Sequence, residues 1–336
     1  MALVRGNDPY ETTMEALQLI ADDIRTPKSP VIIKPNLLTV KKIPLVVTNP
    51  RVCAAVADFL KEKKSAKTIK LGDGTTHGKN PDTLRSMKNN GYIPYQNRWT
   101  PVSFINEPPG KWFPIYSLGY SGQLEIGIAK SIWECPFIVS TPKFKTHDVL
   151  GLTLSLKNFM GTLTTVRDAE TKQIIARETT NVCGYMHGFG DKKPDKLSDD
   201  ENTGPSKLSL AINLNRLAKS IPPSLAVVDG IEAMEGDGPV HGTRKNLGLI
   251  IASTDFIAAD TVATHIAEID PLHIQYIHQA GLMGLGEFRL DHIKILGESL
   301  DSAISPFRPH HLYSRSKFTE EQIFSLRNNL PKNHTQ

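Results

Sequence analysis

The chain has 336 residues, 39% hydrophobic and 22% charged, an ordinary globular balance with room for one large α/β domain or two smaller ones. Its formal charge of +4 contains no run of five or six like charges, which argues against nucleic acid and suits an anionic small molecule. No apolar stretch is long enough to cross a bilayer, and the opening MALVRGNDPYETT lacks the apolar centre of a secretory signal, so a cytoplasmic protein without a membrane partner is expected.

In chain order, Asp8-Pro9 opens the first helix, with an N-cap followed by a proline whose missing N–H costs nothing there. Val31-Ile32-Ile33 reads as a strand. Asn49-Pro50 opens an amphipathic helix with Val52, Val56, Phe59 and Leu60 on one face. Thr68 to Leu71 is the next strand, and Asn80-Pro81 starts a helix over 81–90. The prolines and aromatics of 94–120 suggest a β-ribbon or a lid. Pro136 to Val139 is a strand, and the polar stretch 162–206 is expected to be an inserted loop. Leu225 to Val228, Leu247 to Ala252 and His292 to Leu296 read as further strands. Asp255 caps a helix through Ala258, Val262 and Ile266, and Asp270-Pro271 opens another. Thr319 and Gln322 form a capping box for a last helix, Glu320 to Asn329.

Strands apolar at nearly every position are covered on both faces. With helices alternating between them, they predict an α/β fold: a mostly parallel, doubly wound sheet flanked by helices, with an inserted polar loop region. The domain spans 1–305, allowing two lobes at 1–140 and 207–300 with the insertion at 162–206. Residues 306–336 form a tail with a short helix. Ligands of such sheets bind beyond the carboxyl ends of the strands.

Polar residues cluster at those ends. Lys34 and Asn36 leave the first buried strand, where an ammonium would bind a carboxylate or phosphate. Gly72-Asp73-Gly74-Thr75-Thr76-His77-Gly78 follows the next; Asp73 and His77 are candidates for substrate contact, metal coordination or acid–base work, although tight-turn chemistry accounts for them equally. Lys143, Lys145 and His147 alternate in phase along an extended segment and so point to one side. Lys157 and Asn158 interrupt an otherwise apolar segment, and a buried lysine needs a partner or an altered pKa. Lys157, His147 and Lys145 are therefore the catalytic candidates. Lys34, Asn36, Lys143, Asn158, Asp73, His77 and Asp229 are the substrate-binding candidates. After the strand ending at Val228, Asp229, Glu232, Glu235 and Asp237 gather four acids within nine residues; Glu235 and Asp237 are the candidates for a divalent cation, with lysine pairing as the competing role. A lysine-lined surface edge would explain the basic residues without any function.

These motifs occur together in one order: Ile33-Lys34-Pro35-Asn36-Leu37, Thr48-Asn49-Pro50, Pro142-Lys143-Phe144-Lys145-Thr146-His147, Ser155-Leu156-Lys157-Asn158, Asp229-Gly230-Ile231 with Glu235-Gly236-Asp237-Gly238-Pro239, and Ala258-Ala259-Asp260. In that order they resemble the family called domain of unknown function 362, over roughly residues 30–297. The resemblance implies the fold and the place of the site, not a reaction. Members often carry ferredoxin-like cysteine clusters. Here Cys53, Cys135 and Cys183 are far apart and form no C-x-x-C, so an iron–sulfur cluster is not expected. A fainter similarity, at the level of the fold, links the chain to the nickel-pincer lactate racemases; nickel is not carried over.

Two functions fit these residues. One is an enzyme with lysine and histidine acid–base chemistry on an anionic small molecule, isomerase- or lyase-like. The other is a non-catalytic metal- or cofactor-binding or maturation protein. A homo-oligomer is compatible with either.

Overall fold

The computed structural model describes residues 1–74, 82–105, 107–117, 122–177, 179–190 and 200–330. Its strands are β1 (Ala2–Arg5), β2 (Val31–Pro35), β3 (Ile69–Asp73), β4 (Thr100–Ser103), β5 (Pro109–Ile115), β6 (Leu124–Ala129), β7 (Phe137–Thr141), β8 (Lys143–His147), β9 (Gly151–Thr153), β10 (Leu163–Asp168), β11 (Ile174–Ala176), β12 (Leu225–Glu235), β13 (Thr243–Ser253) and β14 (Leu296–Gly297). The main sheet runs β14-β1-β13-β12-β7-β2-β3-β4, with β8 pairing β12 and β9. Its centre, β12-β7-β2-β3-β4, is parallel, whereas β13 joins β1 and β12 antiparallel. Both candidate lobes thus contribute strands to one sheet.

Alternate residues of the central strands feed two cores. Val31, Ile33, Phe137, Val139, Leu225 and Val227 face one, and Ile32, Ile138, Ala226 and Val228 face the other. The first core is covered by helices α1 (Pro9–Leu19) and α2 (Pro50–Lys64), capped by Asp8 and Asn49 as expected. Val52, Val56, Phe59 and Leu60 of α2 are wholly buried, each stabilising the fold by about 1.5–3 kcal/mol. α3 (Thr83–Asn89) is capped by Asp82, which accepts Arg85 N–H; Asn80 and Pro81 lie outside the described residues.

The second core is covered by α7 (Asp200–Ser220), α8 (Phe256–Ile266), α9 (Gln275–Leu282) and an antiparallel sheet in the order β11-β10-β6-β5. Three shorter helices precede these: α4 (Lys130–Trp133), α5 (Ser155–Asn158) and α6 (Thr179–Met186). Asp255 caps α8 by accepting Ile257 and Ala258 N–H. α10 (Leu300–Ala303) leads into the tail, and α11 (Glu320–Asn329) carries the Thr319–Gln322 capping box.

Three expectations change. The segment 162–206 is not a simple loop: it holds β10, β11, α6 and the start of α7, because Leu163, Val166, Ala176, Val182 and Met186 bury apolar side chains among its polar residues. Its most polar part, 191–199, lies outside the described residues. The region 292–296 is mostly not a strand; Leu290–His292 is a 3-10 turn and only Leu296–Gly297 pair with β1. Asp270-Pro271 opens a single 3-10 turn before α9. No helix among the described residues is long and apolar enough to cross a membrane.

From β2 the chain winds one way to β3 and β4, and then the other way through β7 to β12. The strand order reverses between β2 and β7, where Lys34 stands opposite Ser140 and Pro35 opposite Thr141. A crevice opens at such a reversal because the flanking connections diverge to opposite faces.

Candidate active site

A cavity of about 570 Å³ lies at that reversal, lined among others by Asn36, Asp73, Lys145, His147, Lys157 and Asp237. Each comes from a strand end or the short segment beyond it, and these six residues singled out in the sequence thus meet at one cavity. The structure then divides the candidate lysines into two kinds.

Lys34 and Lys143 are neutralised inside the protein. Lys34 Nζ lies 2.6 Å from Asp73 Oδ1 and donates to Asn158 Oδ1 at 3.1 Å. Burial pulls its pKa down, and the Asp73 charge opposes that shift. Asp73 also accepts the N–H groups of Leu37 and Gly74. Gly161 packs over this pair: a Cβ there would strike Asp73 Oδ1 and come within 2.9 Å of Lys34 Nζ. Lys143 Nζ reaches Asp229 Oδ2 at 2.9 Å, with side chains 2% and 0% exposed, and the same oxygen accepts Asn49 N–H. Neither lysine, nor Asp229, is among the residues lining the cavity. Lys34, Lys143 and Asp229, expected to bind substrate, are therefore engaged in buried ion pairs at the strand ends and do not line the cavity, although Asp229 Oδ1 is buried without a hydrogen-bond partner.

Lys145 and Lys157 line the cavity and form no ion pair among the described residues. Lys145 is wholly buried; its Nζ donates to Asn36 Oδ1 at 3.3 Å and to the Val46 carbonyl at 2.9 Å, both neutral acceptors. Burial holds its pKa well below the usual lysine value, and the Lys157 and Lys143 charges lower it further. Lys157 is half-buried, with Nζ 3.4 Å from Met160 Sδ. Burial lowers its pKa too, while Cys183 and Asp148 nearby raise it. Asn36 and Asn158, the expected polar contacts, both line the cavity.

His147 also lines the cavity, and its chemistry follows from its backbone surroundings. Its Nδ1 accepts Val149 N–H at 3.1 Å and Leu150 N–H at 3.4 Å. Asp148 Oδ1, 2.9 Å from that nitrogen, accepts the same Val149 N–H. Burial, reinforced by the Lys157 charge, brings the His147 pKa down to about 4. The ring is thus neutral near pH 7; its Nδ1 meets the Val149 and Leu150 N–H groups, which need a lone pair there, and the Asp148 carboxylate, which would take an Nδ1–H.

Lys157 and Asn158 sit on α5, a single turn too short to be stable alone. Asp260 of α8 secures it: Oδ1 accepts Ser155 N–H at 2.8 Å and Oδ2 accepts Leu156 N–H at 2.9 Å. Asn158 adds bonds to the Lys34 carbonyl and Ser140 Oγ. Asp260 is fully buried, and burial drives its pKa up to about 7 despite the two N–H donors. In the sequence Asp260 stands out only within the Ala258-Ala259-Asp260 motif; its partners lie over a hundred positions away.

The acidic candidates separate. Glu235 turns away to Arg308 N–H and Lys245, so its expected metal role is corrected. Asp237 lies at the cavity with His310 and His311 from the tail, their ligand atoms all within 4.8 Å of one another. The sequence reading missed both histidines because it treated the tail as separate; the adjacent pair after Pro309 was the available signal. His310 Nδ1 accepts Leu312 N–H at 3.0 Å, and His311 Nδ1 is 2.8 Å from Asp237 Oδ1. His77 lies outside the described residues. The cysteines occupy three separate places: Cys53 beside Tyr92 and Thr141, Cys135 against the Pro30 and Phe137 carbonyls, and Cys183 at the cavity. That scatter does not fit a cysteine-held iron–sulfur cluster.

A family model described as domain of unknown function (DUF362) matches residues 31–265. A thylakoid-associated protein of Synechocystis sp. is 29% identical over 261 residues, covering 77% of this chain and 69% of that protein. Among solved structures, a Thermotoga maritima protein matches at 13% identity and a TM-score of 0.45, over 83% of this chain and 60% of its own. The lactate racemase apoprotein of Thermoanaerobacterium thermosaccharolyticum matches at 16% identity and a TM-score of 0.43, over 80% of this chain and 57% of its own. The chain therefore spans less than two thirds of either of those solved proteins.

Proposed function

The chain belongs to the DUF362 family, whose description names no reaction, and on that premise we propose that it is an enzyme acting on a small carboxylate- or phosphate-bearing molecule, by isomerase- or lyase-like chemistry. The observation that carries this reading is Lys145: a fully buried amine at a cavity wall, held by two neutral acceptors and no carboxylate. A protein that only needed stability would pair that amine, as it pairs Lys34 and Lys143.

The roles follow from the charge states. Lys157 is the anion clamp: it lines the cavity half-buried with no ion pair among the described residues, and an arriving anion would favour its charged form against the burial that lowers its pKa. An anion about 4 Å from it gains roughly 4 kcal/mol at an effective dielectric of 20. Neutral His147 hydrogen-bonds a substrate oxygen through Nε2–H, in the tautomer whose Nδ1 accepts the Val149 and Leu150 N–H groups. Lys145, with its lowered pKa, is the group that takes a proton. Asn36 and Asn158 position the substrate. A thermal-shift survey of carboxylates and phosphate monoesters tests this: some anions raise the melting temperature of the wild type, and Lys157→Met removes the rise while staying folded. No stabilising anion, or an undiminished rise in Lys157→Met, would refute it.

A second reading, a non-catalytic metal- or cofactor-binding protein, draws on Asp237, His310 and His311. It is the weaker one. With Nδ1 of His310 accepting a peptide N–H, its Nε2 carries a hydrogen and offers no lone pair to a cation. Stoichiometric metal in the purified protein would reverse that preference.

A further inference from the structure

We propose that Lys145 is an imine-forming nucleophile and that the substrate is a small 2-oxo acid, a carbonyl carbon beside a carboxylate. This deepens the anion-binding reading above and rests on it.

The contacts at Nζ accommodate a neutral amine. An amine has two N–H bonds and one lone pair. Asn36 Oδ1 at 3.3 Å and the Val46 carbonyl at 2.9 Å take the two hydrogens, and no carboxylate forms an ion pair with Nζ among the described residues. When the proton is off, the remaining position at Nζ is a lone pair, on a residue that lines the cavity. A lysine becomes a nucleophile at neutral pH when it is desolvated or stands near another cation, and Lys145 meets both conditions, being wholly buried with Lys157 and Lys143 among its neighbouring charges. The two partners of the reaction are at hand. Lys157 supplies the cation for the carboxylate, and His147 supplies an uncharged donor for the carbonyl oxygen.

The step balances without a further reagent. Nζ attacks the carbonyl carbon, a C–N bond forms, and the carbonyl oxygen takes a proton to give a carbinolamine. Loss of water, with the C–O bond breaking, leaves the imine, which is protonated on nitrogen. The iminium then accepts the electron pair released when the neighbouring carbon gives a proton to the water just expelled, or when its C–C bond breaks; Lys145, now the imine nitrogen, is no longer the proton acceptor in that step. Water returns to release the product and restore the amine. A 570 Å³ cavity holds a ligand of this size with room to spare.

The test is reductive trapping on the full chain, with pyruvate and glyoxylate as probes and cyanoborohydride as the reductant. The expected result is one adduct per chain, mapped to Lys145 by peptide mass spectrometry and reduced at least fivefold by excess lactate, which has the anion but no carbonyl. Lys145→Met and Lys145→Arg, both checked for folding by circular dichroism, should lose it. No adduct at Lys145, or equal labelling in those variants, overturns the proposal. Thermal shift with lactate runs in parallel. Stabilisation by lactate without an adduct overturns the imine alone and leaves the anion site standing; neither stabilisation nor adduct overturns both.

Discussion

Lys34 Nζ meets Asp73 Oδ1 at 2.6 Å across two neighbouring parallel strands, with only 1% and 5% of the side chains exposed. This pair walls the crevice without opening to it through the lysine, and it sets the contrast with Lys145 on which the functional reading turns.

Lys34→Met leaves the Asp73 carboxylate buried with only the Leu37 and Gly74 N–H groups for company. Breaking a buried pair from one side costs about 3–5 kcal/mol. Urea unfolding should show that loss. A change below about 1 kcal/mol would mean that the pair is not closed in solution.

Lys145→Met should behave in the opposite way. It removes a buried amine that no carboxylate contacts, Asp73 acting on it only at longer range, and releases Asn36 Oδ1, which lines the cavity and can take water, and the Val46 carbonyl. One lost donor costs about 1 kcal/mol, offset by relief of the buried amine. The unfolding midpoint is expected to stay level or rise while stabilisation by anions changes. A loss as large as that of Lys34→Met would make Lys145 structural.

Asp260 makes stability fall as pH rises. Its pKa is raised to about 7 in the fold, so between the ordinary carboxylate range and 7 the folded chain binds the extra proton, and stability declines across that window. Two pH units at 1.36 kcal/mol each give roughly 2–3 kcal/mol between pH 5 and 7. Asp260→Asn has no such group. The stability difference, wild type minus variant, should therefore shrink over that range. A difference independent of pH would place the titration elsewhere.

His147 has the opposite sign. Its pKa is depressed from 6.5 to about 4, so its contribution is present above the ordinary histidine value and is lost as pH falls to 4, about 3–3.5 kcal/mol in all. Nitrogen-15 NMR should show the Nε2–H tautomer at pH 7 and no protonation down to pH 5. A resonance titrating near 6.5 would return His147 to the role of a base.

The elements and their ends were written locally. The proline-preceded caps at Asp8 and Asn49, the Thr319–Gln322 box and the unbroken apolar strands were read from neighbouring residues because their causes are neighbouring residues. So was the clustering of polar residues at the strand exits, several of which line the cavity. The segment 162–206 misled because its charged residues outnumber the few apolar ones that seat β10, β11 and α6.

What each lysine does was not written locally. Lys34, Lys143, Lys145 and Lys157 look alike along the chain. Their difference lies in what faces each ammonium: Asp73 for Lys34, Asp229 for Lys143 at 86 positions' remove, and only neutral groups for Lys145. The cost of burying a charge depends on partners within a few ångströms, and only the folded chain decides which residues those are. The periodicity of the sequence determined the scaffold; the tertiary structure chose which amines remain chemically free.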